Sequence, residues 1–140
     1  MGFVHLTDIC QFIPPSEILK SAGTWTPTVA SNLITDVRSA ADASFDLLIP
    51  VVLPGSTIGR QGAKLVSIDL WYIIGTAAAD DFATVELDLV TLPADDVAPT
   101  GAAVTVSFDT AHDSAAKRKA ADKHKMTVTL STPAFIEDDQ

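Results

Sequence analysis

Apolar and polar residues alternate at period two along much of this chain, and the longest alternating run is Gly62 to Ile74. Val66, Ile68, Leu70, Tyr72 and Ile74 fall on one apolar face of that run. Leu65, Ser67, Asp69, Trp71 and Ile73 form the mixed opposite face. Such a pattern predicts a strand with one face in a core. Gly62 and Gly75 bracket it, and glycines punctuate strands.

The same period recurs elsewhere. Trp25, Pro27 and Val29 share a face, with a break at Ser31-Asn32 and a resumption over Leu33 to Val37. Pro27 restricts that strand to an edge. Phe45, Leu47, Ile49 and Val51 make a second strand, ended by Pro54-Gly55. Val85, Leu87 and Leu89 lie on one face of Ala83 to Leu92, which the short intervening loop predicts to pair antiparallel with the central strand. Val104, Val106 and Phe108 form a further inward face; Met126, Val128 and Leu130 form another, followed by a short last strand at Phe135-Ile136. Between these, Asp113 or Ser114 is placed to cap a short helix over Ala115 to Ala121. Strands without βαβ spacing predict an all-β fold, an antiparallel β-sandwich of jelly-roll type over residues 24–140.

Residues 1–23 break the pattern. Phe3, Val4, Ile9, Phe12 and Ile13 keep no sustained period, and Pro14-Pro15 interrupts regular structure. Ser16 to Lys20 can form one helical turn ended at Gly23. This composition predicts an extended N-terminal arm whose apolar side chains pack on a partner or on the domain.

Charge changes the picture in one place. The 140-residue chain has a net charge of −9, which opposes association with nucleic acid. Yet five of its nine basic residues, Lys117, Arg118, Lys119, Lys123 and Lys125, lie in one short segment. A basic patch on an acidic body suits docking on another protein or on a second copy; a solvated loop is the plainer reading. Cys10 is alone, so no internal disulfide framework is expected. No signal peptide, transmembrane helix or myristoylation signal is read from the sequence, and no membrane partner is expected.

Candidate chemistry is sparse. The acid pairs Asp80-Asp81 and Asp95-Asp96 lack the spacing of a calcium loop. His112-Asp113 and Asp122-x-His124 flank the basic segment, and folding it back would bring the histidines together without a fixed third ligand, so no metal is assigned. Neither a nucleophile elbow nor a phosphate-binding loop occurs. No catalytic residue and no cofactor are therefore expected. Trp25, Trp71 and Tyr72 are the aromatics that a glycan would stack on, though packing in a core or interface explains them as well.

Four phrases carry a resemblance: Arg38-Ser39-Ala40-Ala41-Asp42-Ala43-Ser44-Phe45, Gln61-Gly62-Ala63-Lys64-Leu65, Thr110-Ala111-His112-Asp113-Ser114-Ala115-Ala116 and His124-Lys125-Met126-Thr127-Val128-Thr129. With them, Trp25 to Ile136 resembles a group of proteins encoded in tailed-phage genomes and phage-like metagenomic contigs. The resemblance implies a non-enzymatic structural protein of a phage-like particle, a capsid decoration (cement) or accessory head or tail protein. A virion location, with assembly in the host cytoplasm, goes with it. It also implies strands beyond Glu137-Asp138-Asp139, so either the fold is closed differently here or a sheet edge is left for another chain to fill. The expected partners are copies of the same chain, with a trimer favoured, and other particle proteins. The expected assembly surface comprises Phe3, Ile9, Phe12, Ile13, Trp25, Trp71, Lys117, Arg118 and Lys119. The alternative is a carbohydrate- or receptor-binding β-sandwich module of a tail or fibre.

Overall fold

The structure, a computed structural model, describes residues 10–38, 45–51, 63–77, 84–91 and 98–136. Phe3 and Ile9 of the expected arm, and the acid pairs Asp80-Asp81 and Asp95-Asp96, lie outside the described residues. The fold is all-β. The described strands are β1 (Leu19–Lys20), β2 (Trp25–Ala30), β3 (Leu33–Arg38), β4 (Leu47–Leu48), β5 (Ala63–Ile73), β6 (Asp88–Thr91), β7 (Thr100–Ala103), β8 (Val106–Phe108) and β9 (Lys123–Ile136), with one short helix, α1 (Ala115–Arg118). The chain divides into two compact units, Met1–Val52 and Leu53–Gln140.

In the first unit β2 and β3 form an antiparallel hairpin in which Val29 faces Ile34 and Trp25 faces Arg38. Ser31 and Asn32 turn the chain with φ of 51° and 65°. Positive φ at both central residues is what a two-residue hairpin turn needs, because its twist then matches that of the strands. The interruption at Ser31-Asn32 is thus a reversal between two paired strands. Pro27 costs no ladder bond inside a larger sheet, since both strands of this pair are edges.

The predicted helical turn after Pro14-Pro15 is a 3-10 turn over Pro15–Glu17, and the chain then extends into β1, which pairs with β4. Only Leu47 and Leu48 of the predicted Phe45 to Val51 strand join a ladder among the described residues. The base of the hairpin is covered by a small cluster. Trp25 Nε1 donates to the Ala22 carbonyl at 3.0 Å. Its ring meets Phe45 edge-on at 5.5 Å, and the Arg38 guanidinium lies 3.9 Å from the Phe45 ring centre. Lys20 pairs with Asp36. Gly23 sits at φ +90°, where a Cβ would come within 3.2 Å of Arg38 Nε, so this position takes glycine on both conformational and steric grounds. Residues 15–20, read from the sequence as part of an arm ending at 23, thereby pack within the same unit as the hairpin.

In the second unit β9 is the middle strand of the order β5-β9-β8. Here the structure corrects the expected pairing. β5 pairs with β9, placing Ile68 opposite Val128 and Leu70 opposite Met126. The Ala83 to Leu92 segment instead contributes β6, which pairs with β7. Proximity in sequence favoured a hairpin, but β9 offers the all-apolar face that β5 needs. Met126, Val128 and Leu130 are the buried apolar residues among those described, at 0, 4 and 3% exposure. Residues 100–108 change partner along their length. β7 lies on β6, Val104 N–H donates to the Leu87 carbonyl at 2.7 Å, and β8 then pairs with β9.

The β5–β9 register shifts between Leu65 and Ser67, which face Ala134 and Thr129. Four β9 residues, Leu130 to Pro133, oppose the single Val66 there. A proline without an N–H fits such an irregularity. The slip also ends the strict alternation, so Val66, expected on the inward face, is 53% exposed.

Candidate functional site

The richest cluster of polar side chains stands where α1 and the start of β9 meet the end of β5. Asp109 follows β8 and opens a turn in which the His112 N–H donates to the Asp109 carbonyl at 2.9 Å. The Asp109 carboxylate accepts the backbone N–H groups of Ala111 at 2.9 Å and Thr127 at 2.8 Å. It also meets His112 Nδ1 at 2.7 Å. Burial pushes the Asp109 carboxyl up, but the hydrogen bonds from Thr127, His112 and Ala111 outweigh it and hold the group below the usual value.

Ser114, one of the two caps that the sequence offered, caps α1, its hydroxyl accepting the Lys117 N–H at 3.4 Å. The helix is shorter than expected and ends at Arg118. The turn after it returns the chain along β9, so the two histidines meet: His112 Nε2 lies 3.0 Å from His124 Nδ1. His124 Nε2 reaches the Ala120 carbonyl at 2.8 Å. Tyr72 of β5 stacks on the His124 ring at 4.7 Å and 11°, and its hydroxyl donates to the Arg118 carbonyl at 2.9 Å. Burial pushes the Tyr72 phenol up.

Asp109, His112 and His124 therefore form a linear chain of hydrogen bonds ending on a carbonyl. In that arrangement no ring nitrogen of the pair is left facing a hydroxyl or thiol. An open depression of about 330 Å³ adjoins the pair, lined by His112, Lys117, Ala120, Asp122, Lys123 and His124 among others. Among the described residues no group of three or more His, Cys, Asp or Glu side chains is placed to hold a metal ion. No described helix is long and apolar enough to cross a membrane.

The chain matches no protein-family model, no curated protein and no solved structure.

The candidate assembly residues have unequal fates. Trp71 is 74% exposed, Phe12 is 82% exposed, and Ile13 is half-buried. Trp71 faces Lys125 across the ladder, and the ammonium lies 5.4 Å from the ring centre. Lys125 also pairs with Asp69 at 2.9 Å; with the Thr127 hydroxyl, this holds the Asp69 carboxyl low. Trp25 is half-buried in the cluster at the base of the hairpin. Lys117 is exposed but tied to Asp113 at 2.8 Å and to the Thr110 carbonyl at 2.8 Å. Lys119 is half-buried. Arg118, expected on a docking surface, is 7% exposed. Its guanidinium donates to the His112 carbonyl at 3.1 Å and lies 4.9 Å from the Phe108 ring centre. It is an internal fastener, because a planar cation with several donors can bridge a carbonyl and an aromatic face together.

The sequence reading did not single out Asp109, which follows the Val104 to Phe108 face. The Asp109-x-x-His112 spacing was the available signal. Tyr72, read as a core or sugar-facing aromatic, is the lid on His124.

Proposed function

We propose that the protein is a non-enzymatic structural component of a phage-like particle, a decoration (cement) or accessory head or tail protein located in the virion. In this reading its strands close into an antiparallel sandwich of jelly-roll type. It associates with copies of itself, as a trimer by preference, and with neighbouring particle subunits. The resemblance of its four phrases to phage-encoded proteins supplies the class.

The observation that carries self-association is the end of the β2–β3 hairpin. Val29 and Ile34, opposite each other in the ladder, are 74 and 60% exposed on one face of the hairpin, and Leu33, 66% exposed, lies on the other. An apolar hairpin end left in water is a surface for a partner. Covering the Val29–Ile34 face contributes about 2–4 kcal/mol, from about 1.5–3 kcal/mol per fully buried residue scaled by exposure. Association costs about 4–15 kcal/mol in lost freedom. The hairpin alone is therefore insufficient, and a second patch such as the cross-strand pair Leu19 and Leu48, at 62 and 63% exposure, must join it. An interface assembled this way forms where local concentration is high, as on a particle surface.

Light scattering across a range of concentrations tests this. The mass rises to that of a closed oligomer, and Val29→Lys with Ile34→Lys stays monomeric while keeping the strand spectrum of the parent. A monomer at every concentration, unchanged by the substitutions, refutes self-association.

One observation favours a second reading, a glycan- or receptor-binding module. Trp71 presents an exposed indole beside Ile73, itself 66% exposed, and such rings stack on sugars. Quenching of Trp71 fluorescence by a glycan panel, lost in Trp71→Ala, would replace the first reading.

A further inference from the structure

The heavy-atom distances around the two histidines count their protons. The Ala120 carbonyl carries no hydrogen, so the bond at 2.8 Å requires the proton on His124 Nε2. The Asp109 carboxylate carries none either, so the 2.7 Å contact requires one on His112 Nδ1. Between His112 Nε2 and His124 Nδ1, at 3.0 Å, there is room for one hydrogen. Two would collide, and none would set two lone pairs against each other. Four ring nitrogens thus carry three protons, whereas two neutral imidazoles carry two.

We propose that His112 and His124 form a one-proton site, an imidazolium–imidazole pair with the charge on His112 facing Asp109. This site fastens β9 to the turn that carries α1. It stands independently of self-association.

Charged groups from several elements surround the pair. From the turn before α1 comes Asp109, whose hydrogen bonds from Thr127 and Ala111 keep it a carboxylate. From α1 come Arg118, bound to the His112 carbonyl, and Lys117, bound to Asp113. From β5 comes Tyr72, which gives its hydroxyl hydrogen to Arg118. The approach to β9 and its first residues add Asp122, Lys123 and Lys125 around the depression. Asp109 is the charged group in hydrogen-bond contact with a ring nitrogen, so the charge belongs on His112. That ring is 6% exposed, which denies it water as a substitute partner.

Long-range ¹H–¹⁵N spectra of the labelled full chain at pH 6.5 test the proton count directly, with His5→Gln assigning the third histidine. Two protonated ring nitrogens on His112 and one, Nε2, on His124 are expected. A neutral His112, with a single protonated nitrogen, overturns the proposal. Urea unfolding at pH 6.5 gives an independent reading. His124→Ala should raise the unfolding constant about tenfold or more, and a variant as stable as the parent overturns the fastening role. If His124→Ala does not fold, the spectra of the parent still decide.

Discussion

Replacing Met126 by alanine probes how little buried material the main sheet relies on. Met126 is fully buried, on the middle strand, opposite Leu70. Its truncation removes about three methylene equivalents and leaves a cavity. Such changes cost about 2–5 kcal/mol, the upper values where the surroundings cannot collapse. The neighbours here are Leu70 and Ile68, both only half-buried on an outer strand of the sheet, so they can settle inward. That places the cost at about 2–3.5 kcal/mol. Against a total stability of about 5–10 kcal/mol for a unit of this size, roughly a fifth to two-thirds is lost. The melting temperature should fall by about 10–20 °C, and the urea midpoint should move down by about 1–2 M. Val66→Ala is the matched control. Val66 is half exposed on the neighbouring strand and should change stability by no more than about 0.5 kcal/mol. A Met126→Ala loss below about 1 kcal/mol, or a Val66→Ala loss equal to it, would show that β9 is not the centre of the folded unit.

Two further predictions concern the turn and the acid limb. Asn32→Val places a β-branched residue at φ 65° and should lower the melting temperature of the hairpin unit through a cost of about 1–2 kcal/mol, whereas Asn32→Gly should be close to neutral by the same melt. Asp109 and Asp69 both have folded carboxyl values below their unfolded ones. Their contribution is therefore complete above the ordinary value of 3.8 and is lost as pH falls through the lower folded values. Asp109→Asn should flatten that acid decline in a pH series of urea titrations, while Asp69→Asn, at an exposed pair, should change it less.

The sequence revealed elements better than pairings. The alternation in Gly62 to Ile74 and in Met126 to Leu130 located β5 and most of β9, and Ser114 located the start of α1. Pairing was less legible because strand periodicity carries no address. Ala83 to Leu92 is nearer to β5 in sequence, and only the three-dimensional fit of Ile68 and Leu70 against Val128 and Met126 selects β9. Val66 shows a second limit. Its position has the right parity for the core, but the excursion of Leu130 to Pro133 on the partner strand turns it outward, and a single strand cannot report a slip in its neighbour. Arg118 shows a third. Five basic residues in a row of nine read as one surface, yet one of them is needed to satisfy the His112 carbonyl and turns in. The histidine pair was visible as two flanks of a returning segment. Asp109 was not, because a residue at a strand end looks the same whether it faces water or collects three donors.

The position of β9 in the chain also bears on synthesis. A hairpin such as β2–β3 closes from neighbouring residues and can form as soon as it leaves the ribosome. The sheet around β9 cannot, since its middle strand is the last of the described elements to be made. At roughly 5–20 residues per second, β5 waits several seconds for its partner with Ile68 and Leu70 not yet covered by β9. During that interval the strand most ready to pair with another chain is also the one that the finished protein holds at the rim of its sheet. Chains made side by side on one messenger would meet each other first through β5.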